Sequence, residues 1–237
     1  MSKSNVCVVF DLDDTLYMER DYARSGFCAV GKWCADRLGI EGFQQQAQAL
    51  FDEGRRGDVF NATLDRLGVV CDAVTIAMMV KVYREHFPDI KLLPDAVECL
   101  ERFQGLVHLG LLTDGNPISQ WAKIDALGLR YRFDAIVVTG EWGVEFFKPH
   151  LRGYQYLESK LEICRGQFVY VADNPTKDFF APRTLGWNAI RVRRPSSLHE
   201  QQECSRGLTR CEVSSLKMIP SMICELYKTR FENQGKE

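Results

Sequence analysis

Short apolar runs recur along the chain and are separated by longer stretches with helical spacing. The runs are rich in β-branched and aromatic residues, and each has the length of one strand. They lie at residues 6–10, 109–113, 135–139, 168–172 and 188–192. Most are far enough apart for a crossover helix, which indicates βαβ units that wind right-handed into a parallel sheet. The pattern therefore predicts an α/β fold with a Rossmann-like parallel sheet flanked by helices.

Between the first two strands the pattern is helical and contains no convincing strand. Four helices are predicted there, at residues 22–38, 42–53, 59–67 and 73–85. A connection this long far exceeds what neighbouring strands require, so it is interpreted as a separate helical subdomain over the strand ends. We expect a core of residues 1–17 and 93–237 and a helical cap of residues 18–92.

Later segments are predicted to complete the core. Residues 118–127 and 151–161 have the spacing of crossover helices, and Gly128 ends the first of them. After Pro195 the pattern is less regular, with an edge strand expected at 211–213 and a closing helix at 218–227.

Composition limits the classes of partner. The chain has 237 residues, 46% of them apolar, and a formal net charge of -2, so no nucleic-acid or membrane partner is expected. Neither a signal peptide nor an apolar run of membrane-spanning length is found. The nine cysteines form no CxxC pair, which favours reduced thiols in a cytoplasmic protein. The oligomeric state is left open.

Polar motifs stand where the predicted strands end. They are Asp11 and Asp13 after the first strand, Thr113 and Asp114 after the second, Lys148 beyond the third, and Asp173 and Asp178 after the fourth. Each motif alone is typical of an ordinary turn. Because the carboxyl ends of parallel strands line the ligand crevice of an open sheet, the motifs together predict one site.

This order of motifs resembles that of the haloacid dehalogenase-like superfamily, over nearly the whole chain. The first motif, Asp-x-Asp-x-Thr, occupies residues 11–15, and Thr113 matches the second. Lys148, followed by proline, matches the third, and Asp173 with an aspartate five positions later matches the fourth. The helical insert resembles the C1 cap of subfamily I. Ala172 stands where many members have glycine, a mild departure.

The resemblance implies roles in phosphoryl transfer. Asp11 would attack phosphorus to form an aspartyl-phosphate, and Asp13 would act as general acid and base. Thr113 and Asp114 would bind the phosphate together with Lys148. A C–halogen bond needs no proton donor for its leaving group, so Asp13 favours phosphoryl transfer over dehalogenation.

A metal site is implied as well. Asp11, Asp173 and the backbone carbonyl of Asp13 form an all-oxygen set, which favours Mg²⁺, whereas zinc would require histidine or cysteine. Asp178 is expected to orient Lys148 or a metal-bound water. By the same resemblance, two further motif positions are supporting residues, namely Asn174 and Thr15.

The predicted function is a Mg²⁺-dependent phosphatase of a small phosphorylated metabolite, either a sugar phosphate or a nucleoside monophosphate. A phosphomutase on the same core is an alternative, as is a non-hydrolytic phospho-receiver or binding protein. The DxD spacing and the long insert argue against a receiver. Four cap arginines are candidate substrate contacts or ordinary solvated charges: Arg20, Arg24, Arg55 and Arg56. Asp14 is expected to be structural or solvated.

Overall fold

A parallel sheet forms the centre of the protein in the computed structural model, which describes residues 3–227. Its six strands within that range run in the order β3-β2-β1-β4-β5-β6. They are β1 Cys7–Phe10, β2 His108–Thr113, β3 Ala135–Val138, β4 Phe168–Ala172, β5 Asn188–Val192 and β6 Cys211–Val213. Every pairing is parallel, as predicted. The third strand ends at Val138 because the chain turns there into a 3₁₀ helix.

Four helices follow β1, in the part of the chain where the helical insert is predicted. They are α1 Glu19–Leu38, α2 Phe43–Asp52, α3 Val59–Leu67 and α4 Ala73–Glu85. Their inward side chains, among them Phe27, Leu50 and Met79, form a core distinct from those beside the sheet. Gly39 and Gly68 end α1 and α3 with φ near 66° and 67°, which glycine adopts without steric cost.

Five more helices of the described range cover the two faces of the sheet. They are α5 Pro94–Phe103, α6 Pro117–Ala126, α7 Arg152–Leu161, α8 Phe180–Leu185 and α9 Ile219–Tyr227. The sequence pattern had predicted α6, α7 and α9 but not α5 or α8. Pro94 starts α5, where its missing N–H costs no hydrogen bond. Within residues 3–227, no helix combines the length and apolar character needed to cross a bilayer.

The register of the central strands brings the motif loops together. Phe10 of β1 pairs with Leu111 of β2 on one side and with Val171 of β4 on the other. The loops that follow these three strands therefore leave the sheet at the same edge. Asp11 is held at this edge by its N–H, which donates to the Val171 carbonyl at 2.9 Å.

Candidate active site

A buried lysine joins two of the predicted carboxylates. The Nζ of Lys148 lies 2.6 Å from Asp11 Oδ1 and 2.8 Å from Asp178 Oδ1, and it donates to the Tyr170 hydroxyl at 3.1 Å. These charged side chains are at most 4% exposed, so each charge needs a partner inside the protein. Burial opposes the charged form of Lys148, but Asp11 and Asp178 raise its pKa well above the ordinary value. The ammonium is therefore a fixed cation beside Asp11.

Three buried carboxylates gather next to this cation. Ligand oxygens of Asp11, Asp173 and Asp178 all lie within 4.8 Å of one another. Burial raises the pKa of Asp11 to about 6, although Lys148 opposes the shift. Burial, followed by the charges of Asp11 and Asp178, raises the pKa of Asp173 well above its usual range. If all three carboxylates were ionised, they would carry more negative charge than Lys148 balances.

The donor set fits a hard divalent cation. Among the residues that the structure describes, the buried Oδ2 of Asp173 has no hydrogen-bond partner. A buried, unpartnered carboxylate oxygen is costly unless an ion or a donor satisfies it. All the ligand atoms are oxygens, as Mg²⁺ prefers. The cluster in the structure includes Asp178, whereas the ligands expected from the sequence are Asp11, Asp173 and the backbone carbonyl of Asp13.

Asp13 lies in a second network, which the motifs did not reveal. Its Oδ1 accepts hydrogen bonds from Lys123 Nζ at 2.7 Å and from the Tyr17 hydroxyl, and its Oδ2 accepts from Gln120 Nε2 at 3.0 Å. Burial alone would raise the pKa of Asp13, but the Lys123 charge and the hydrogen bonds from Lys123, Tyr17 and Gln120 lower it. The pKa values of Asp11 and Asp13, two residues apart, are therefore shifted in opposite directions.

Helix α6 supplies two of these donors. Asn116 caps the helix by accepting hydrogen bonds from the N–H groups of Ile118 and Ser119, and Pro117 occupies the first turn. Gln120 and Lys123 are three residues apart, so they lie on the same helix face. Both are buried, together with their helix neighbours Ser119 and Ile124. A glutamine and a lysine on the inward face of a crossover helix are the sequence signal that could have identified them.

The loop after β2 contains the predicted phosphate contacts. Thr113 Oγ1 accepts a hydrogen bond from Gln120 Nε2 at 2.5 Å. The Asp114 carboxylate accepts from the Thr139 hydroxyl at 2.7 Å and from the Lys148 N–H at 3.1 Å, and it lies 3.3 Å from Lys177 Nζ. The Asp114 side chain therefore organises the loop. Its negative charge makes its backbone N–H, rather than the carboxylate, the group suited to a phosphate.

The remaining motif residues hold the loops in shape. The Asn174 N–H donates to Asp178 Oδ2 at 3.0 Å, which fixes the loop after β4. The Thr15 carbonyl accepts from Arg194 Nη2 at 2.9 Å, and within the described chain its buried hydroxyl has no partner. Asp14 is buried and accepts from the backbone N–H groups of Glu19 and Leu198. Its role is structural, and it is not solvated.

A cavity of about 420 Å³ opens beside the Asp13 network, between the helical insert and α6. Its lining includes aromatic side chains of the insert and polar side chains of α6, among them Tyr22, Phe51, Phe60, Tyr83, Gln120 and Lys123. Arg56, whose guanidinium carbon is 3.6 Å from the Phe51 ring centroid, also lines it. The other three candidate arginines form ion pairs instead, Arg20 with Asp52, Arg24 with Asp21 and Arg55 with Asp58.

Fold and site together define the class: an α/β protein with an aspartate-and-lysine site at the carboxyl edge of a parallel sheet and a helical insert beside it. The family model described as haloacid dehalogenase-like hydrolase matches residues 6–186. The chain belongs to this family, which confirms the resemblance seen in the motifs.

Named relatives and solved structures agree with this membership. A glyceraldehyde 3-phosphate phosphatase of Methanopyrus kandleri is 28% identical over 196 residues, which cover 79% of this chain and 83% of that relative. A phosphoserine phosphatase of Thermus thermophilus is 27% identical and is matched over 79% of this chain and 88% of its own. The crystal structure of 2-haloacid dehalogenase from Pseudomonas syringae pv. Tomato superposes with a TM-score of 0.64 at 21% identity, covering 95% and 99% of the two chains. That last similarity concerns the fold.

Proposed function

We propose that the protein is a Mg²⁺-dependent phosphatase that hydrolyses a small phosphorylated metabolite through an aspartyl-phosphate on Asp11. The observation that carries the proposal is the buried Asp11 carboxylate, 2.6 Å from Lys148 Nζ and two residues before a second aspartate. Two relatives with phosphatase names support a phosphate ester as substrate. Asp13, the acid that an ester oxygen requires, supports phosphatase over dehalogenase chemistry.

The proposed reaction has two displacements at phosphorus. Asp11 attacks the phosphoryl group, the bond to the ester oxygen breaks, and Asp13 gives that oxygen a proton. Water then attacks the phosphorus of the aspartyl-phosphate while Asp13 takes its proton, which releases phosphate and restores Asp11. Thr113 and the backbone of Asp114 would bind phosphoryl oxygens, and Lys148 would offset their charge.

Mg²⁺ would be held by Asp11, Asp173 and the backbone carbonyl of Asp13, with Asp178 close by. Bound there, the ion would neutralise charge on the phosphoryl group and so allow a carboxylate to approach it. Asp178 would keep Lys148 aimed at Asp11 through their 2.8 Å ion pair. Asn174 and Thr15 would support the loops that present these groups.

The helical insert is the proposed selector of the substrate. We take residues 18–92 as a cap over a core of residues 1–17 and 93–237. The cavity between α6 and the insert would hold the leaving group, and its volume of about 420 Å³ suits a small molecule such as a sugar phosphate or nucleoside monophosphate.

A screen of phosphorylated metabolites, with and without Mg²⁺, tests the proposal through the phosphate released. The unmodified protein should release phosphate from at least one sugar phosphate or nucleotide, and Asp11→Asn should not. Isomerised sugar phosphate without free phosphate would indicate a phosphomutase. A stable phosphoprotein without turnover would indicate a receiver. Either result would overturn the proposed function.

A further inference from the structure

Both oxygens of the Asp13 carboxylate accept hydrogen bonds from side chains. Lys123 Nζ at 2.7 Å and the Tyr17 hydroxyl both bond to Oδ1, and Gln120 Nε2 bonds to Oδ2 at 3.0 Å. Three donors on two oxygens fix both the position and the rotation of the carboxylate plane. Two of the donors come from α6, an element outside the four motifs.

The Lys123 side chain is buried, unlike that of a surface lysine. Its side chain is 6% exposed, and its Nζ lies 4.2 Å from the centroid of the Tyr22 ring on α1. An ammonium so buried requires a charged partner, and the Asp13 carboxylate is in direct contact with it. The lysine thus stands between the cavity and Asp13, and it lies apart from the Lys148 cluster.

Gln120 connects the same carboxylate to the proposed phosphate site. Its Nε2 lies 3.0 Å from Asp13 Oδ2 and 2.5 Å from Thr113 Oγ1. One amide group therefore sets the distance between the residue that would move protons and a residue that would bind phosphoryl oxygens. Proton transfer to a leaving oxygen depends on such a distance, since it requires hydrogen-bond contact.

We propose that Lys123 and Gln120 are positioning residues that hold Asp13 for proton transfer, an inference that rests on the proposed phosphatase function. In the first displacement the Asp13 carboxylate takes the proton that the monoanionic phosphate ester brings, and it passes that proton to the ester oxygen as the P–O bond breaks. In the second it moves from water to the Asp13 carboxylate as water bonds to phosphorus. Neither Lys123 nor Gln120 gains or loses a proton in these steps.

This role predicts a dependence on the leaving group. An alkyl alcohol leaves poorly as an alkoxide and needs the proton, whereas nitrophenolate leaves without one. Displacing Asp13 should therefore slow aspartyl-phosphate formation from an alkyl phosphate but spare its formation from nitrophenyl phosphate. Hydrolysis of the aspartyl-phosphate should slow with both substrates, because water activation needs Asp13 in each case.

The test compares Lys123→Met with the unmodified protein by rapid mixing with Mg²⁺. With nitrophenyl phosphate, the rate of the first nitrophenolate release should stay within about tenfold of that of the unmodified protein. This release should become visible as a burst, because the steady-state rate that follows it is reduced about 10²-fold. With the best alkyl phosphate from the screen, the rate should fall about 10²-fold without a burst, and KM should change little. Lys123→Arg should restore part of the rate, since it can still donate to Asp13.

Controls separate this role from a loss of structure. Lys160→Met removes an exposed lysine of α7 and should change neither substrate's kinetics. Beryllofluoride binding at Asp11, followed by thermal denaturation, reports whether the variant keeps its nucleophile site. If Lys123→Met fails that check, Gln120→Met carries the same comparison, with an expected loss of roughly tenfold because one of three donors is removed.

Three results would overturn the inference. Equal loss of nitrophenolate burst and alkyl phosphate turnover in a folded variant would show general damage to the site. A raised KM with unchanged kcat would make Lys123 a substrate-binding residue. Unchanged kinetics in both Lys123→Met and Gln120→Met would remove any role. Absence of phosphatase activity in the unmodified protein would instead refute the proposed function itself.

Discussion

Asp11→Asn should stabilise the metal-free protein while removing its activity. Asparagine has nearly the shape of aspartate but carries no charge, and its side-chain oxygen can still accept from Lys148. The Asp11 side chain is 4% exposed, so the charge that is removed is one that the folded protein holds away from water. The cost of holding it there is reflected in the pKa of the carboxyl group.

The magnitude follows from that pKa. Burial is the main cause that raises the pKa of Asp11 from 3.8 to about 6, with the opposing pull of Lys148 already included. One pKa unit corresponds to about 1.4 kcal/mol, so the ionised group destabilises the folded state by about 3 kcal/mol relative to the neutral one. Because the folded state binds the proton more tightly, this penalty is complete above pH 6 and disappears as the pH falls through 6 towards 3.8.

Urea unfolding in the presence of a chelator measures the effect. At pH 7.5 the free energy of unfolding of Asp11→Asn should exceed that of the unmodified protein by up to about 3 kcal/mol, and the gain should shrink towards pH 4. Added Mg²⁺ should narrow the difference, because the ion would stabilise the unmodified site more. An Asn variant that is no more stable at pH 7.5, or a gain that does not vary with pH, would refute the reasoning.

Further predictions concern the other charged groups. Thorough chelation should abolish hydrolysis of an aryl phosphate and Mg²⁺ should restore it; activity that survives chelation would contradict the metal assignment. Asp13→Asn should lower steady-state turnover about 10²-fold or more, and near-normal turnover would exclude Asp13 as the acid and base. Lys148→Met should destabilise the protein by about 3–5 kcal/mol in urea unfolding, because it leaves buried carboxylates unpaired; a smaller loss would show that they find other donors. Asp95→Ala should lower the free energy of unfolding by about 3 kcal/mol, because the carboxylate lies 2.9 Å from Arg194 Nη1. This loss should shrink at low pH, because acid protonates Asp95 in the unmodified protein and weakens the same ion pair there.

Much of the fold could be predicted from the sequence because buried parallel strands are short continuous apolar runs. The strands Phe168–Ala172 and Asn188–Val192 and the helices Val59–Leu67 and Ala73–Glu85 have the bounds that the pattern predicts. Helix α5 was missed, although Ala96, Cys99, Leu100 and Phe103 form a buried face with helical spacing. It has the same ten-residue length as α6 and α7, and it was overlooked because it follows the long helical insert without an intervening strand.

The candidate site contains some contacts that the motifs predict and others that they do not. Asp11 and Lys148 meet because the motif loops leave the sheet at one edge, which the strand pattern already implies. The contact of Lys123 with Asp13 depends on how α6 is rotated against the sheet and the insert, which no local pattern determines. The same holds for Asp114, whose carboxylate turns towards Thr139 and Lys177.

The distribution of partners among the carboxylates is the structural basis for giving them different roles. Asp13 receives three side-chain donors and is suited to moving a proton in a fixed geometry. Asp11 shares Lys148 with Asp178 and keeps a raised pKa, which suits a nucleophile whose charge is partly balanced. Asp173 keeps a buried oxygen without a hydrogen-bond partner among the described residues, and a cation would satisfy it. Asp11 and Asp13 of the first motif can thus perform different chemistry because the partners of each come from a different part of the fold.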